Sequence, residues 1–357
     1  GQFRHIAPRF VTNGHKVFAL SVMNTEYKMW QGVQLIPYRI DRANLPNQHD
    51  WIRDVESKAL RAEACLRACI QLREQGHVPD IVIGHPGWGE TMFVKEVWPK
   101  TKLVLYCEFF YHALGTDMGF DPEFDDSEDI FRNCKVRLKN LNNYMHFESM
   151  DKGISPTNWQ ASTYPIEIQR KIRVIHDGID TTTVSPRRDV TVKILRNGLE
   201  RKLTLDDQVI TFVNRTLEPY RGFHVFLRSL PRILKQHKSA EVLIIGGNEG
   251  GYGPSPKCGD TWQDIFTREV LTELVPSEVD RIHFLGNVPY SDYLSILQIS
   301  SVHVYLTYPF VLSWSMLEAM SCSVPVIASD TQPVSEVIKD GKNGFLVDFF
   351  NHELIAD

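Results

Sequence analysis

Two successive α/β domains, each built on a parallel sheet, are what this sequence predicts, and three observations predict them. Short apolar runs alternate with longer amphipathic stretches, the pattern of strands joined by crossover helices. The 357 residues exceed what a single core usually accommodates. The alternation also restarts late in the chain. We therefore expect a first domain over 1–170, a linker over 171–190 and a second domain over 191–357.

The elements follow in order. Residues 2–13 read as a helix closed by Asn13-Gly14, a C-cap pair. HKVFALSV (15–22) and GVQLIPYRI (32–40) read as strands. From Trp51 to about Gln75, apolar residues recur at helical spacing. PDIVIGH (79–85) is a strand ending in the polar turn GHPGWGE, and KLVLYCEFFYH (102–112) is the next strand. An acidic loop, GTDMGFDPEFDDSED (115–129), leads to a helix over 130–142, and YMHFES (144–149) is taken as a further strand. SPTNWQASTYP (155–165) reads as a loop and KIRVIHDGID (171–180) as a strand with a Gly turn.

The second series has strands at DDQVITFVNRT (206–216), AEVLIIGG (240–247), DRIHFLG (280–286), SSVHVYLTY (300–308), VPVIAS (324–329) and GFLVD (344–348). Helices fill the intervals, as in GFHVFLRSLPRILKQH (222–237).

Charged residues make up 23% and the net charge is −5, which argues against disorder and against a nucleic-acid-binding surface. The 6 Cys show neither a disulfide framework nor a CxxC pair, so they read as reduced packing residues of a cytoplasmic protein. No charged residue occurs from Tyr293 to Leu317, but the serines, His303 and Pro309 make that stretch too polar for lipid. The opening GQFRHIAPRF lacks the basic stretch and apolar run of a signal peptide.

Two segments carry chemistry. In FVNRTLEPYRGFHVF (212–226) a strand ends at Asn214-Arg215, a turn carries Arg221-Gly222, and a helix begins. Two guanidinium groups near a helix N-terminus suit a diphosphate, because cations, free N–H groups and the helix dipole all favour an anion. Taken alone, two surface arginines beside a turn would explain the segment equally simply. In LTYPFVLSWSMLEAMSCSVPVIAS (306–329) a buried strand runs into a loop and then a helix N-capped by Ser313 or Ser315. Glu318 falls near the end of the first turn, where a carboxylate can accept ribose hydroxyls or merely complement the helix dipole.

Together the segments have a meaning that neither has alone. NRTLEPYRG, VLIIGG, IHFLGNVPYSDYLSIL, the loop-helix ending LEAMSCSVPVIAS, and PVSEVIKDGKNGFLVD stand in one order over about 171–348. That order resembles the C-terminal domain of the retaining glycosyltransferases of family 4, which have the GT-B fold of two Rossmann-like domains facing a cleft. The first half looks like one subgroup of the family through GQFRHIA, PDIVIGHPGWGE, YCEFFYH, GFDPEF, GISPTNWQASTYP and VIHDGID. Against the family pattern, the chain is expected to lack the first strand and the C-terminal crossover helices.

The resemblance implies a metal-independent enzyme that moves a sugar from a UDP-, GDP- or TDP-linked donor to a glycan or lipid-linked glycan. It implies a role in bacterial polysaccharide assembly, in the cytoplasm with peripheral contact at the inner membrane face. Arg215 and Arg221 would hold the donor diphosphate, with Arg221 standing where Lys is usual. Glu318 would bind the ribose. Val311, Leu312 and Ser313 would add contacts at the helix start, and the strand end Gly246-Gly247 and the loop glycine Gly1 would line the donor.

The sequence departs from the family pattern at two places. The first Glu of the family's Glu-x7-Glu pair is absent; Phe310 or, with two extra loop residues, Tyr308 stands there, and Ser313 or Thr307 could offer hydroxyls. Many members end the 102–112 strand in His, where this chain reads Tyr106-Cys107-Glu108. Glu108 and His85 are therefore the candidates for sugar contact. A strand-end His is often structural, but His85 sits in a Gly-punctuated loop at a strand C-terminus, where α/β proteins bind ligands. Glu90 shares its loop. Asp117, Asp121 and Glu123 read as solvated or as shaping the acceptor site, and Asp125-Asp126 as a weak substitute for an acidic metal motif. Two other readings remain open: a nucleotide-sugar epimerase of the same fold, and a nucleotide-sugar-binding chain with little activity.

Overall fold

The computed structural model describes residues 2–22, 28–43, 47–124, 128–196, 198–256 and 259–357, and the chain divides into two units. Gly1, Asp125-Asp126 and Cys258, which figure in the sequence reading, lie outside the described residues. The first unit comprises Gly1–Ala113 with Glu128–Asp177, and the second Leu114–Ser127 with Gly178–Asp357. The sequence reading kept the acidic segment in the first domain, whereas the fold assigns it to the second. Among the described residues no helix is long and apolar enough to cross a membrane.

The first unit holds two sheets. β1 (Phe18–Ser21), β2 (Met29–Trp30) and β3 (Val33–Pro37) form one, in the order β1-β3-β2. β4 (Ile81–Gly84), β5 (Lys102–Tyr106), β6 (Lys152–Ser155) and β7 (Ile172–Val174) form the other, in sequence order and all parallel. The helix Arg53–Glu74 buries Leu60, Ala64, Cys65, Ala68, Cys69 and Leu72 on one stripe, packed with Val94, Val97 and Trp98. The described cysteines are all free thiols, four of the five buried.

Three expectations fail here, each for a local reason. Residues 107–112 leave the ladder because side chains take over their backbone groups. The Phe110 N–H donates to Thr163 Oγ1 (3.1 Å), and Tyr111 exchanges bonds with the Asn140 amide (3.0 and 2.7 Å). Residues 144–149 are helical, not a strand, within Leu141–Ser149. Asn142, Asn143, His146 and Phe147 bury one helical face, and the His146 ring donates to the Asn142 carbonyl from Nδ1 (2.7 Å). The 155–165 loop follows a strand that the reading missed, β6, and contains the helix Asn158–Ser162, capped by Thr157 accepting the Gln160 N–H (3.0 Å).

In the second unit an antiparallel hairpin of β8 (Val192–Arg196) and β9 (Leu199–Leu203) precedes the main sheet. That sheet is β10 (Val209–Thr216), β11 (Glu241–Gly247), β12 (Ile282–Gly286), β13 (Val302–Tyr305), β14 (Val326–Ser329) and β15 (Phe345–Val347). Its order is β12-β11-β10-β13-β14-β15, with every pair parallel. Val209 to Asn214 are all buried, as a strand covered on both faces requires. The Phe212 ring stacks on Phe226 of the helix Phe223–Gln236 at 4.4 Å. The winding direction reverses between β10 and β13, so a ligand crevice is expected at their carboxyl ends.

Candidate functional site

That crevice is where the second unit collects its polar side chains. Near the end of β10 stands Arg215, whose side chain is exposed and has no hydrogen-bond or ion-pair partner among the described residues. The chain then turns through Pro219–Arg221 into Gly222, whose φ of +65° belongs to the left-handed region. A Cβ at Gly222 would run into Leu306 and Phe349, so the turn is fixed by packing as well as by backbone.

Arg221 is 5% exposed. Its Nη1 donates to Thr307 Oγ1 (2.8 Å) and to the Val311 carbonyl (2.9 Å), both on the loop after β13. The Tyr252 and Phe310 rings face its guanidinium at 5.3 and 5.7 Å. Among the described residues it has no carboxylate partner. A buried cation without a counter-ion is costly, and a site that tolerates one is built for an anion.

The surrounding loops are tied down in turn. Glu218, 2% exposed, accepts the N–H groups of Tyr252 (2.8 Å) and Gly253 (3.0 Å), fixing the loop after β11. The Ser313 N–H donates to the Tyr305 hydroxyl (2.7 Å), and its side chain caps the helix Trp314–Ser321 through Ser315 N (3.4 Å). Glu318 is buried and accepts both the Tyr290 (2.7 Å) and Tyr293 (2.5 Å) hydroxyls. At Gly246 a Cβ would meet the Asn214 carbonyl oxygen at 2.9 Å, so β11 can end this close to β10 only with glycine.

Asp117 and Asp121 are not solvated, contrary to one sequence expectation, whereas Glu123 is exposed. Asp117 and Asp121 are each 2% exposed. Asp117 accepts the Tyr220 hydroxyl (3.1 Å), and Asp121 accepts the Tyr308 hydroxyl (2.8 Å) and lies 3.1 Å from His224 Nε2. Glu123 pairs with both terminal nitrogens of Arg228 (2.8 and 2.8 Å). Burial opposes ionisation of Asp121, but the bonds from His224, Tyr308 and the Glu123 N–H together hold its carboxyl below the usual carboxylate range. Oxygen and nitrogen atoms of Asp121, Glu123 and His224 come within 4.8 Å of one another, yet their charge is already met by Arg228 and by the His224–Asp121 pair.

In the first unit, His85 follows β4 and Glu108 follows β5. His85 Nδ1 accepts the Gly87 N–H (2.9 Å), so in the neutral ring Nε2 carries the proton and donates it to Glu108 Oε2 (3.1 Å). The Trp88 ring stacks on His85 at 4.7 Å, and Gln2 donates to the other Glu108 oxygen (2.9 Å). A pocket here is lined by Lys58, His85, Glu108, Phe109, Tyr111 and Lys139. Glu90 is turned to Tyr38 and Arg61 instead.

Of the residues singled out from sequence, the structure brings Arg221, Thr307, Tyr308, Phe310 and Val311 into one cluster and pairs His85 with Glu108. Sequence reasoning missed Tyr290, Tyr293, Glu218 and Tyr252. Only the aromatic and glycine content of NEGGYG and VPYSDY could have hinted at the three tyrosines, while Glu218 lies in the 212–226 segment with nothing there to mark it as a loop anchor.

Solved structures similar to this chain carry the same architecture. HepE of Anabaena in complex with UDP-glucose superposes with a TM-score of 0.64 at 12% identity, covering 100% of this chain and 84% of that one. Sucrose-phosphate synthase of Thermosynechococcus elongatus gives 0.68 at 16% identity, covering 99% and 81%. The fold is therefore GT-B. Residues 13–184 match the family described as Glycosyl transferase family 4 group, and 199–357 match Glycosyl transferases group 1. The chain belongs to glycosyltransferase family 4.

Among curated relatives, it is 27% identical over 200 residues to spore coat protein SA of Bacillus subtilis, covering 55% of this chain and 50% of that protein. It is likewise 27% identical over 180 residues to a D-inositol 3-phosphate glycosyltransferase of Corynebacterium jeikeium, covering 50% and 40%. The matched segment thus spans half or less of these relatives' length.

Proposed function

We propose that the protein transfers a glycosyl group from a nucleoside diphosphate-sugar to a hydroxyl of a glycan or lipid-linked glycan, with retention of anomeric configuration. One observation carries this reading: Arg221 is buried at the crevice with no carboxylate to neutralise it, beside the exposed Arg215. A diphosphate is the anion that two guanidinium groups and the start of the 314–321 helix would hold together.

In this reaction the acceptor oxygen bonds to the anomeric carbon as the bond from that carbon to the diphosphate oxygen breaks. The departing phosphate takes the acceptor's proton on the same face. Arg215 contacts the leaving group directly. Arg221 acts from beneath the Thr307–Val311 loop, stabilising charge as it develops. Glu318 exchanges a tyrosine hydroxyl for a ribose hydroxyl, and Gly246-Gly247 leaves room for the donor. His85 and Glu108 bind hydroxyls of sugar or acceptor. No metal takes part in the scheme, because the cations are supplied by arginine. HepE, a family-like neighbour in fold, is described in complex with UDP-glucose, which supports a uridine or similar nucleotide as the donor carrier.

A thermal-shift series with UDP-, GDP- and TDP-linked sugars tests the reading. A ligand at 100 times its dissociation constant adds about 2.7 kcal/mol, which a melting curve resolves. No shift with any of the three would overturn it. Conversion of the donor in the absence of acceptor would point to the epimerase instead.

A further inference from the structure

Residues 114–124 precede most of the second unit by about a hundred positions, yet they are packed on it. We propose that this acidic segment is a clamp on the donor site, with Asp117 and Asp121 as positioning residues for the two loops that carry Arg221 and Tyr308. The proposal rests on the donor reading above and adds to it a part of the chain outside the family's donor motifs.

The geometry makes the case. The turn Pro219–Arg221 and the loop after β13 are joined by backbone, ring and side-chain contacts. The Tyr308 N–H donates to the Tyr220 carbonyl (3.0 Å), the Tyr220 and Tyr308 rings meet at 4.8 Å, and Arg221 donates to Thr307 and Val311. Tyr220 and Tyr308 are thus the hinge between the two loops. The segment takes both of their hydroxyls, Tyr220 on Asp117 and Tyr308 on Asp121.

Anchors hold the segment itself. Phe120 lies against Tyr308, Phe349 and Phe350 at 5.1–5.3 Å. Phe124 lies against His224 and Trp262 at 5.0 and 5.2 Å. Glu123 is pinned to Arg228, itself tied to Glu269. A segment that only covered apolar surface would need the phenylalanines alone. Two buried carboxylates cost desolvation, which the Tyr220 hydroxyl offsets in part at Asp117 and the Tyr308 hydroxyl, His224 and the Glu123 N–H offset at Asp121.

The test uses the full chain and UDP as the probe. Tyr308→Phe deletes one hydroxyl and keeps the ring; Asp121→Asn and Asp117→Asn change the clamp; Arg215→Gln is the donor-site control. With donor turnover measured well below each variant's melting temperature, Tyr308→Phe and Asp121→Asn should weaken UDP binding roughly 2- to 30-fold and raise the donor KM more than they lower kcat. Wild-type UDP affinity and donor KM in both, with only the melting temperature lowered, would reduce the segment to a structural cover and overturn the clamp. If Asp121→Asn does not fold, Tyr308→Phe alone decides. If Arg215→Gln binds UDP as the wild type does, the donor reading has failed and the clamp falls with it.

Discussion

At the strand ends of the first unit the charged groups satisfy each other, His85 against Glu108 at 3.1 Å, with Gln2 on the remaining oxygen. At the strand ends of the second, Arg215 and Arg221 find no carboxylate among the described residues, while the carboxylates nearby are turned onto tyrosine hydroxyls and backbone N–H groups. A carboxylate already bonded to a histidine ring and a side-chain amide has hydrogen-bonding capacity to offer, which suits hydroxyls. Cations without a carboxylate, one buried and one exposed, suit an anion. The same topology can therefore build two sites of opposite character simply by which partner each strand end is given.

The comparison can be broken at its strongest point first. Arg215→Ala should lower turnover with the correct nucleotide-sugar by about 100- to 1,000-fold, the usual effect of deleting one donor to a developing negative charge. Steady-state kinetics at saturating acceptor would measure it, and a near-wild-type rate would remove the asymmetry between the units.

Next, the interiors should behave alike where the sites do not. His146 in the first unit and His303 in the second are buried, and burial pushes each ring down to about 4 from the ordinary 6.5. The unfolded chain binds the extra protons between those values. Stability is therefore full above pH 6.5 and falls as the pH drops toward 4, by roughly 3 kcal/mol for each histidine. Urea unfolding at pH 7.5 and 5 should show the loss, and His303→Asn should flatten the slope by one proton. An unchanged midpoint across that window would contradict it.

Removing the buried charge sharpens the contrast further. Arg221→Met should shift the ligand-free melting temperature little and abolish most of the ~2.7 kcal/mol that nucleotide at 100 times its dissociation constant supplies. If nucleotide still stabilises the variant fully, the buried cation is not what meets the anion. The smallest effect belongs to the His85–Glu108 pair. Glu108→Gln should change acceptor KM by about 10-fold, the scale of one hydrogen bond to a charged group, and leave nucleotide affinity alone.

The readable parts of this molecule are those whose signal is local. β10 and β11 show as unbroken apolar runs because both faces of a parallel strand are covered, and the turn through Arg221-Gly222 carries its own punctuation. The β8–β9 hairpin carries a local signal too, the Asn197-Gly198 pair between two alternating runs, but its charged Lys193, Arg196, Glu200, Arg201 and Lys202 obscure the strand pattern. Residues 144–149 read as a strand because Tyr144, Met145, His146 and Phe147 form a short run rich in aromatic side chains, whereas the buried set spans a full helical turn from Asn142. The acidic segment was illegible for a different reason. Asp117 and Asp121 look solvated until Tyr220, His224 and Tyr308, about a hundred positions or more away, are brought to them. Nor does sequence spacing say that Glu318 will be held by two tyrosines, since they sit on another helix.

Because residues 114–127 belong to the second unit, its boundaries cannot be drawn with one cut. A gene-level exchange of residues 178–357 between relatives would import Tyr220, His224, Arg228 and Tyr308 but leave behind the residues that cap them. The inheritable module is two stretches of chain separated by fifty residues of the other unit. Recombination that respects only the linker at 178 would join mismatched halves, and lineages of this architecture should exchange the two stretches together or not at all.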